Sequence, residues 1–289
     1  MDILDLAIIG SGPAGLTAGI YGARANMSFV VFEGMYPGGK LVWIKKIENY
    51  PGFPTGVSGP ELAERFYNQA TNLKVNFIFQ KVEKVVKDKD VFKIISGTQS
   101  YQTRFVIVAS GSVPKKLGIK GEDEFLGRGV SYCAICDGPL FKNKKVVVIG
   151  EGKHVETDLE YLKRFSSVTW LRKPNGQEKK IDGISVVRAI PVEIVGEYSV
   201  KLIIAQTESG FIEIETDGVF IFAGFKPSFD FLPPDVILDD IGYVKTDGNL
   251  QSSVEGLYAC GDIRSGSLKQ IVAAVNDGAV ALNEIRKKI

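Results

Sequence analysis

"LDLAIIGSGPAGLTAGIYGARA", residues 4–25, is an apolar run, a glycine turn and a stretch of small and apolar residues in immediate succession. The run from Leu4 to Ile9 predicts a buried strand, and the stretch that follows predicts a helix with small residues along one face. Gly10, Gly12 and Gly15 stand at the spacing of a dinucleotide fingerprint. The first permits a tight turn, the second lets backbone approach a pyrophosphate, and the third lets helix lie close on strand. The helix N-terminus, with its outward N–H groups, would carry the anion. A second strand, "SFVVFEG" (28–34), ends in Glu33, eighteen residues after Gly15, where a carboxylate can accept hydrogen bonds from ribose hydroxyls.

The plan recurs at 144–173, "KKVVVIGEGKHVETDLEYLKRFSSVTWLRK", with poorer details. Gly150 and Gly152 remain, but the third position is Val155, whose branched side chain is expected to crowd helix against strand. Glu151 lies between the glycines, where a phosphate would approach. Two like charges about 4 Å apart repel by roughly 4 kcal/mol at an effective dielectric of 20, an upper bound if Glu151 turns to solvent. The next stretch, "RKPNGQEKKIDG" (172–183), reads as too broken for a crossover helix, and "ISVVRAI" (184–190) reads as a strand. The expected fold class is α/β, with two Rossmann-like three-layer nucleotide-binding domains, the second inserted in the first and degenerate. Residues 1–112 and 239–289 form the first and 113–238 the second. Within the first, "GPELAERFYNQATNL" (59–73) predicts an amphipathic helix. "VNFIF", "KVEKVV" and "VFKIIS" predict a β-meander ending in "RFVIVASG", and a closing helix is expected from about Leu268.

At 289 residues and 45% hydrophobic, the chain is long enough for two such domains. Thirty-five basic against thirty-four acidic side chains exclude a global attraction to nucleic acid or an anionic membrane. The acidic N-terminus, "MDILDLAIIGSGPAG", has no basic n-region, and no apolar stretch reaches transmembrane length, so a cytoplasmic protein is expected.

Two of the three cysteines, Cys133 and Cys136, are paired in "SYCAICDGPL" (131–140). One thiol of three must stay single, which does not make a secreted disulfide framework. A Cys-x-x-Cys beside a βαβ pattern is the spacing at which one thiolate attacks a partner disulfide and its neighbour resolves the mixed intermediate. A zinc site would need two more soft ligands, and neither Cys260 nor the single His154 stands at ligand spacing, so no metal is expected. Cys260, in "LYACGD", reads as a small core residue closing a buried strand. His154, on the first turn of its helix, reads as a solvated or capping residue. Lys115, Lys116 and Lys120, or Lys142, Lys144 and Lys145, could steer an acidic partner, although charge runs are ordinarily wet surface.

In order, "GSGPAG", "EGMYPGGKL", "ENYPGFP", "CAICDG" and "YACGDIRSGSLKQIVAAVNDGAVAL" resemble the low-molecular-weight, bacterial-type thioredoxin reductases over nearly the whole chain. The resemblance implies a homodimeric flavoprotein in which FAD reduces an internal disulfide and the resulting dithiol reduces thioredoxin. It implies that Gly10, Ser11, Gly12, Pro13, Ala14 and Gly15, with Glu33, Gly34, Gly38, Gly39, Lys40 and Leu41, hold the adenosine and pyrophosphate. Asn49 would lie close to the flavin, with Val82, Ala109, Gly111 and Gly261 also lining the cofactor. Asp262 would bind the ribityl chain, and Lys269, Gln270 and Ile271 would follow the isoalloxazine edge. Lys40 and Lys269 stand where the family commonly has Gln and Arg; both still donate hydrogen bonds. Cys136 would face the flavin, Cys133 would attack thioredoxin, and Asp137 would serve as acid-base.

In NADPH-dependent members an HRRxxxR cluster follows the second strand; here "LRKPNGQ" offers only Arg172 and Lys173. By that departure the chain resembles most closely the ferredoxin-dependent flavin thioredoxin reductases, which implies reduced ferredoxin as donor. A ferredoxin near −400 mV against thioredoxin near −270 mV leaves roughly 6 kcal/mol for two electrons. NADPH held by Arg172 and Lys173 is the alternative, as is a flavin-binding redox sensor without turnover. One dithiol must serve a buried flavin and an external protein in turn, which the family achieves by domain rotation; "ASGSVP" (109–114) and the loop near 230–238 are the expected hinges.

Overall fold

The computed structural model describes residues 3–44, 46–174 and 180–289, apart from the side chains of Cys136 and Lys153. In chain order the first elements are β1 (Leu4–Ile9), α1 (Pro13–Arg24), β2 (Phe29–Phe32), α2 (Gly59–Asn72), β3 (Phe77–Ile78), β4 (Lys84–Asp88), β5 (Val91–Ser96), β6 (Gln99–Val108) and β7 (Ser112–Pro114). The middle of the chain forms β8 (Val130–Ser131), α3 (Ala134–Asp137), β9 (Lys145–Gly150), α4 (Lys153–Leu162), β10 (Ser167–Arg172), β11 (Ser185–Arg188), β12 (Ile190–Gly196), β13 (Val200–Thr207), β14 (Gly210–Glu215) and β15 (Gly218–Phe222). β16 (Phe225–Pro227), β17 (Leu257–Ala259) and α5 (Ile271–Arg286) complete it. These divide into two units, Met1–Val113 with Lys226–Ile289, and Pro114–Phe225. The sequence reading sets the second crossing near 239; residues 226–238 instead lie with the first unit.

The first unit is built on one sheet in the order β3-β2-β1-β6-β5-β4, with β17 also paired to β6. β1 runs parallel to β2 and β6, which is why it is buried and nearly all apolar. Its alternation sends Leu6 and Ile8 into the cluster that holds Leu16 of α1 and Leu282 and Ile285 of α5. Ala7 and Ile9 enter the opposite cluster, with Val85, Phe92 and the loop residues Phe231 and Val254. β6 carries two roles along ten residues: its first half is antiparallel to β5, and its second half lies between β1 and β17. The predicted helix at 59–73 forms as α2, capped by Ser58, whose hydroxyl accepts from Glu61 N. Two expectations are corrected. "VNFIF" is not part of the meander, because Phe77 pairs in parallel with Val31 at the sheet edge. The closing helix begins at Ile271, since Gln270 is still extended backbone.

The second unit has a five-stranded parallel sheet, β11-β10-β9-β15-β8. Val155, Leu159 and Leu162 of α4 share one core cluster with Val146, Val148 and Trp170. On the other face Ile194, Ile203 and Ala205 of the antiparallel sheet β12-β13-β14 share a cluster with Val147, Ile149 and Val219. Val155 is fully buried, so the branched side chain expected to crowd the helix is absorbed into this core. Residues 175–179 of the connection from β10 to β11 lie outside the described residues. The chain is an α/β protein of two linked Rossmann-like sheets. Among the described residues no helix is long and apolar enough to cross a membrane.

Candidate functional site

The first glycine loop forms because side chains are excluded from it. A Cβ on Gly10 would lie 2.5 Å from the Ala109 carbonyl oxygen, and one on Gly15 would lie 1.8 Å from the Gly10 oxygen. At Gly12 nothing lies within 4 Å, so the backbone there is open to approach. No side chain caps α1, and Pro13 occupies its first turn, where a missing N–H costs nothing. The first-turn N–H groups thus have no side-chain cap, the arrangement that suits a helix N-terminus to an anion. This cradle fits the pyrophosphate of a dinucleotide.

Glu33, at the end of β2, is buried and accepts from Ser11 N at 2.9 Å, Ser11 Oγ at 2.5 Å and Met35 N at 2.7 Å. An ionised carboxylate offers about four acceptor sites, so the acid, with three donors, organises the loop and has one acceptor site to spare. Gly38 N donates to Ser11 O at 2.7 Å, which folds the 33–41 segment back onto the fingerprint. A Cβ on Gly34 would meet the Lys81 side chain at 3.1 Å, and one on Gly39 would meet Gly12 Cα at 3.3 Å. Leu41, Val82 and Ala109 are buried, and Gly111 borders the Ala109 turn, its carbonyl accepting from Ser228 N.

The late segment reaches the same place. Cys260 N donates to Val108 O at 2.9 Å, and a Cβ on Gly261 would lie 3.1 Å from Ala14 Cβ. Asp262 is ion-paired with Lys40. Lys269 Nζ donates to the Asp262 carbonyl at 3.3 Å, and Asn49 Nδ2 donates to Gln270 Oε1 at 2.9 Å. Ile271 packs on the cluster of Leu41, Ile47 and Leu62. Residues 230 positions apart in sequence are therefore neighbours in one unit, which holds every residue expected to bind the cofactor. Sequence reasoning missed what braces this turn. Asp277, buried in α5, accepts from Gly261 N at 3.0 Å and from Arg264 Nε at 3.1 Å. A lone acid among the small residues of "VNDGAVAL" was the available signal. Cys260 is free and buried, and burial pushes its thiol well above the ordinary range, which makes it inert.

The dithiol segment belongs to the second unit. Cys133 is disulfide-bonded; the Cys136 side chain lies outside the described residues. Ser131 Oγ, at the end of β8, donates to Asp137 Oδ2 at 2.6 Å and accepts from Cys133 N at 3.0 Å. Tyr132 Oη donates to Glu122 Oε1 at 2.7 Å, and buried Glu122 also accepts from Leu117 N and Gly118 N at 3.0 and 2.7 Å. Ser131, Tyr132 and Glu122 were not anticipated. Nothing in a single "SY" dipeptide announces that it fixes the residues on either side.

In the second glycine loop Glu151 does not turn to solvent. Its carboxylate accepts from Arg172 Nη2 at 2.6 Å and Nε at 3.2 Å, and from Lys173 N at 3.3 Å. The Arg172 guanidinium lies 4.3 Å from the Trp170 ring centroid. His154 is exposed, in keeping with a solvated residue.

The family model described as pyridine nucleotide-disulphide oxidoreductase matches residues 4–154 and 176–278. The chain is 36% identical to the thioredoxin reductase of Bacillus subtilis, over 98% of this chain and 94% of that protein. It is 38% identical to that of Peptoclostridium acidaminophilum, over 100% and 98%. The solved thioredoxin reductase of Lactococcus lactis superposes with a TM-score of 0.79 at 34% identity, covering 98% of each chain. That of T. acidophilum gives 0.78 at 33%, covering 100% and 99%. A ferredoxin-flavin thioredoxin reductase from Clostridium acetobutylicum gives 0.57 at 35%, covering 99% and 97%. The expectation that the chain sits nearest the ferredoxin-dependent branch is therefore corrected. It rested on a damaged second loop, but the parallel sheet, the Gly150 and Gly152 turn and Arg172 at the end of β10 are all in place.

Proposed function

The chain belongs to the pyridine nucleotide-disulphide oxidoreductase family, and from that premise we propose that it reduces thioredoxin with electrons taken from NADPH at an atypical second site. It is an oxidoreductase acting on a disulfide substrate, and FAD is its cofactor. The observation that carries the reading is the disulfide-bonded Cys133 beside Asp137, both tied to the Ser131 hydroxyl.

The first unit would hold FAD, with Gly10 to Gly15 and the α1 N-terminus on the pyrophosphate, Glu33 on the ribose, and Lys40, Asp262 and residues 269–271 toward the flavin. The cofactor supplies a group that takes up an electron pair and passes it to a disulfide. The second unit supplies that disulfide, which we assign to Cys133 and Cys136. Once it is reduced, the Cys133 thiolate attacks one sulfur of the thioredoxin disulfide. A mixed disulfide forms, and the second thioredoxin sulfur leaves and is protonated. Cys136 gives its proton to Asp137 and attacks the Cys133 sulfur. This restores the internal bond and releases the first thioredoxin sulfur, which takes a proton in turn. Two electrons and two protons thus pass to thioredoxin in each cycle.

Arg172 and Lys173 bring positive charge to the end of β10, where a nucleotide's 2′-phosphate would sit. The same reading makes the protein a cytoplasmic homodimer. Anaerobic mixing is the test. NADPH is expected to bleach the flavin and drive thioredoxin reduction, and Cys133→Ser to abolish turnover while the protein stays yellow. A flavin bleached by reduced ferredoxin and by no pyridine nucleotide overturns the donor. A Cys133→Ser variant with full activity overturns the thiol roles.

A further inference from the structure

We infer that Glu151 is an internal competitor of the nucleotide's 2′-phosphate, a carboxylate on the glycine loop itself that occupies the guanidinium such a phosphate would need. The inference rests on the reading that the second unit accepts a pyridine nucleotide.

Arg172 ends β10, twenty residues after Gly152. In a strand–loop–helix–strand unit that is where a residue meets the adenosine ribose, an acid accepting its hydroxyls or a cation accepting a 2′-phosphate. The cation here is already engaged. Its side chain is only 8% exposed, it lies over the Trp170 ring, and it gives two N–H bonds to Glu151. Bonds between ionised partners are about twice as strong as neutral ones, so an arriving phosphate must displace an anion as well as shed water.

Exposure is unequal across the pair. Glu151 is 37% exposed, so it can swing into water while Trp170 holds the guanidinium where it is. Glu151 also accepts from Lys173 N, so its departure frees a second donor on the same edge. The loop therefore exchanges one anion for another at a fixed cation, and the internal anion sets how tightly a 2′-phosphorylated nucleotide binds relative to one without that group.

The probes are 2′,5′-ADP and AMP, which differ by the 2′-phosphate alone. Binding is measured by calorimetry on the full-length, FAD-loaded enzyme. Glu151→Gln keeps the shape and removes the charge, and is expected to bind 2′,5′-ADP at least tenfold more tightly while AMP binding stays within twofold. Glu151→Ser is a second variant should Gln disturb the loop, with flavin absorbance and melting temperature reporting integrity. Adding Arg172→Met to either should abolish the gain. Measurable AMP and 2′,5′-ADP binding with no gain in either Glu151 variant overturns the inference and leaves the nucleotide reading standing. Failure of both probes to bind any variant overturns the two together.

Discussion

Ser131 Oγ lies 2.6 Å from Asp137 Oδ2 and 3.0 Å from Cys133 N, so one buried hydroxyl ties the acid to the backbone of the disulfide-bonded cysteine. It also approaches the Cys133 carbonyl at 3.3 Å, but the shorter bond to the carboxylate takes its single proton. The hydroxyl thus fixes the Asp137 carboxylate, and the proton transfer proposed for that acid would depend on it. Asp137→Asn is expected to lower thioredoxin reduction about 10²- to 10⁴-fold, the ordinary range for losing a general acid-base. Ser131→Ala should cost about tenfold, with the flavin spectrum unchanged and partial rescue by Ser131→Thr. Stopped-flow reduction of the disulfide measures both; a Ser131→Ala enzyme at full rate removes the positioning role.

Tyr132 and Glu122 form the other brace of this segment. Burial, and then the hydrogen bond to Glu122, push the Tyr132 phenol well above its ordinary value of 10.0. The sign follows from proton counting. Above about pH 10 the unfolded chain releases this proton while the folded chain keeps it, so stability is fully present below that value and falls as pH rises beyond it. Tyr132→Phe should flatten the alkaline fall in melting temperature between pH 9.5 and 11. At neutral pH it should destabilise the protein by about 1–3 kcal/mol, because Glu122 loses one of its three donors while buried. Thermal melts across that range check both effects.

How much of this was legible depended on whether a residue acts through its local pattern. Leu4 to Glu33 could be read because its pattern is local: an apolar strand, a glycine turn in which a Gly15 Cβ would strike the Gly10 oxygen, and an acid ending the next strand. The Ala109 carbonyl that excludes a side chain at Gly10, however, comes from far along the chain. The link between Lys40 and Asp262 could be reached only through a family likeness, since no periodicity connects positions so distant. The β12-β13-β14 sheet escaped notice because its strands alternate weakly, with Ile190 and Phe211 exposed on their outer side. What holds Glu151 in place went unread for a related reason. Between two glycines it looks like an obstacle to phosphate, and its partner on β10 is defined by strand pairing rather than spacing.

Gly278 is a residue whose role no motif declares. A Cβ there would lie 2.2 Å from the Ala14 carbonyl oxygen, so α5 crosses α1 with backbone nearly touching backbone. The contact falls on the first turn of the helix that bears the pyrophosphate cradle. Gly278→Ala must push the helices apart, an overpacking cost of about 1–3 kcal/mol or more, and it should release FAD although residue 278 belongs to no cofactor contact proposed above. Gly248→Ala, where nothing lies within 4 Å, is the matched control and should leave flavin content and melting temperature unaltered. Absorbance near the flavin maximum after gel filtration measures occupancy; a fully yellow Gly278→Ala protein would mean that the crossing has slack.

Asp158 of α4 supplies a test on the acid side. Burial pushes its carboxyl from the ordinary 3.8 up to about 6. Between those values the folded chain holds a proton that the unfolded chain has lost, so this residue's contribution to stability declines as pH rises from about 4 to 6 and stays low above it. Two pH units correspond to about 3 kcal/mol, reduced to about 1–2 kcal/mol because part of the side chain is screened by water. Asp158→Asn should therefore be more stable than the parent at pH 7.5, and the two should converge near pH 4. Urea unfolding at pH 4, 5, 6 and 7.5 gives the comparison, and a gap that does not widen with pH would place the Asp158 carboxylate in water.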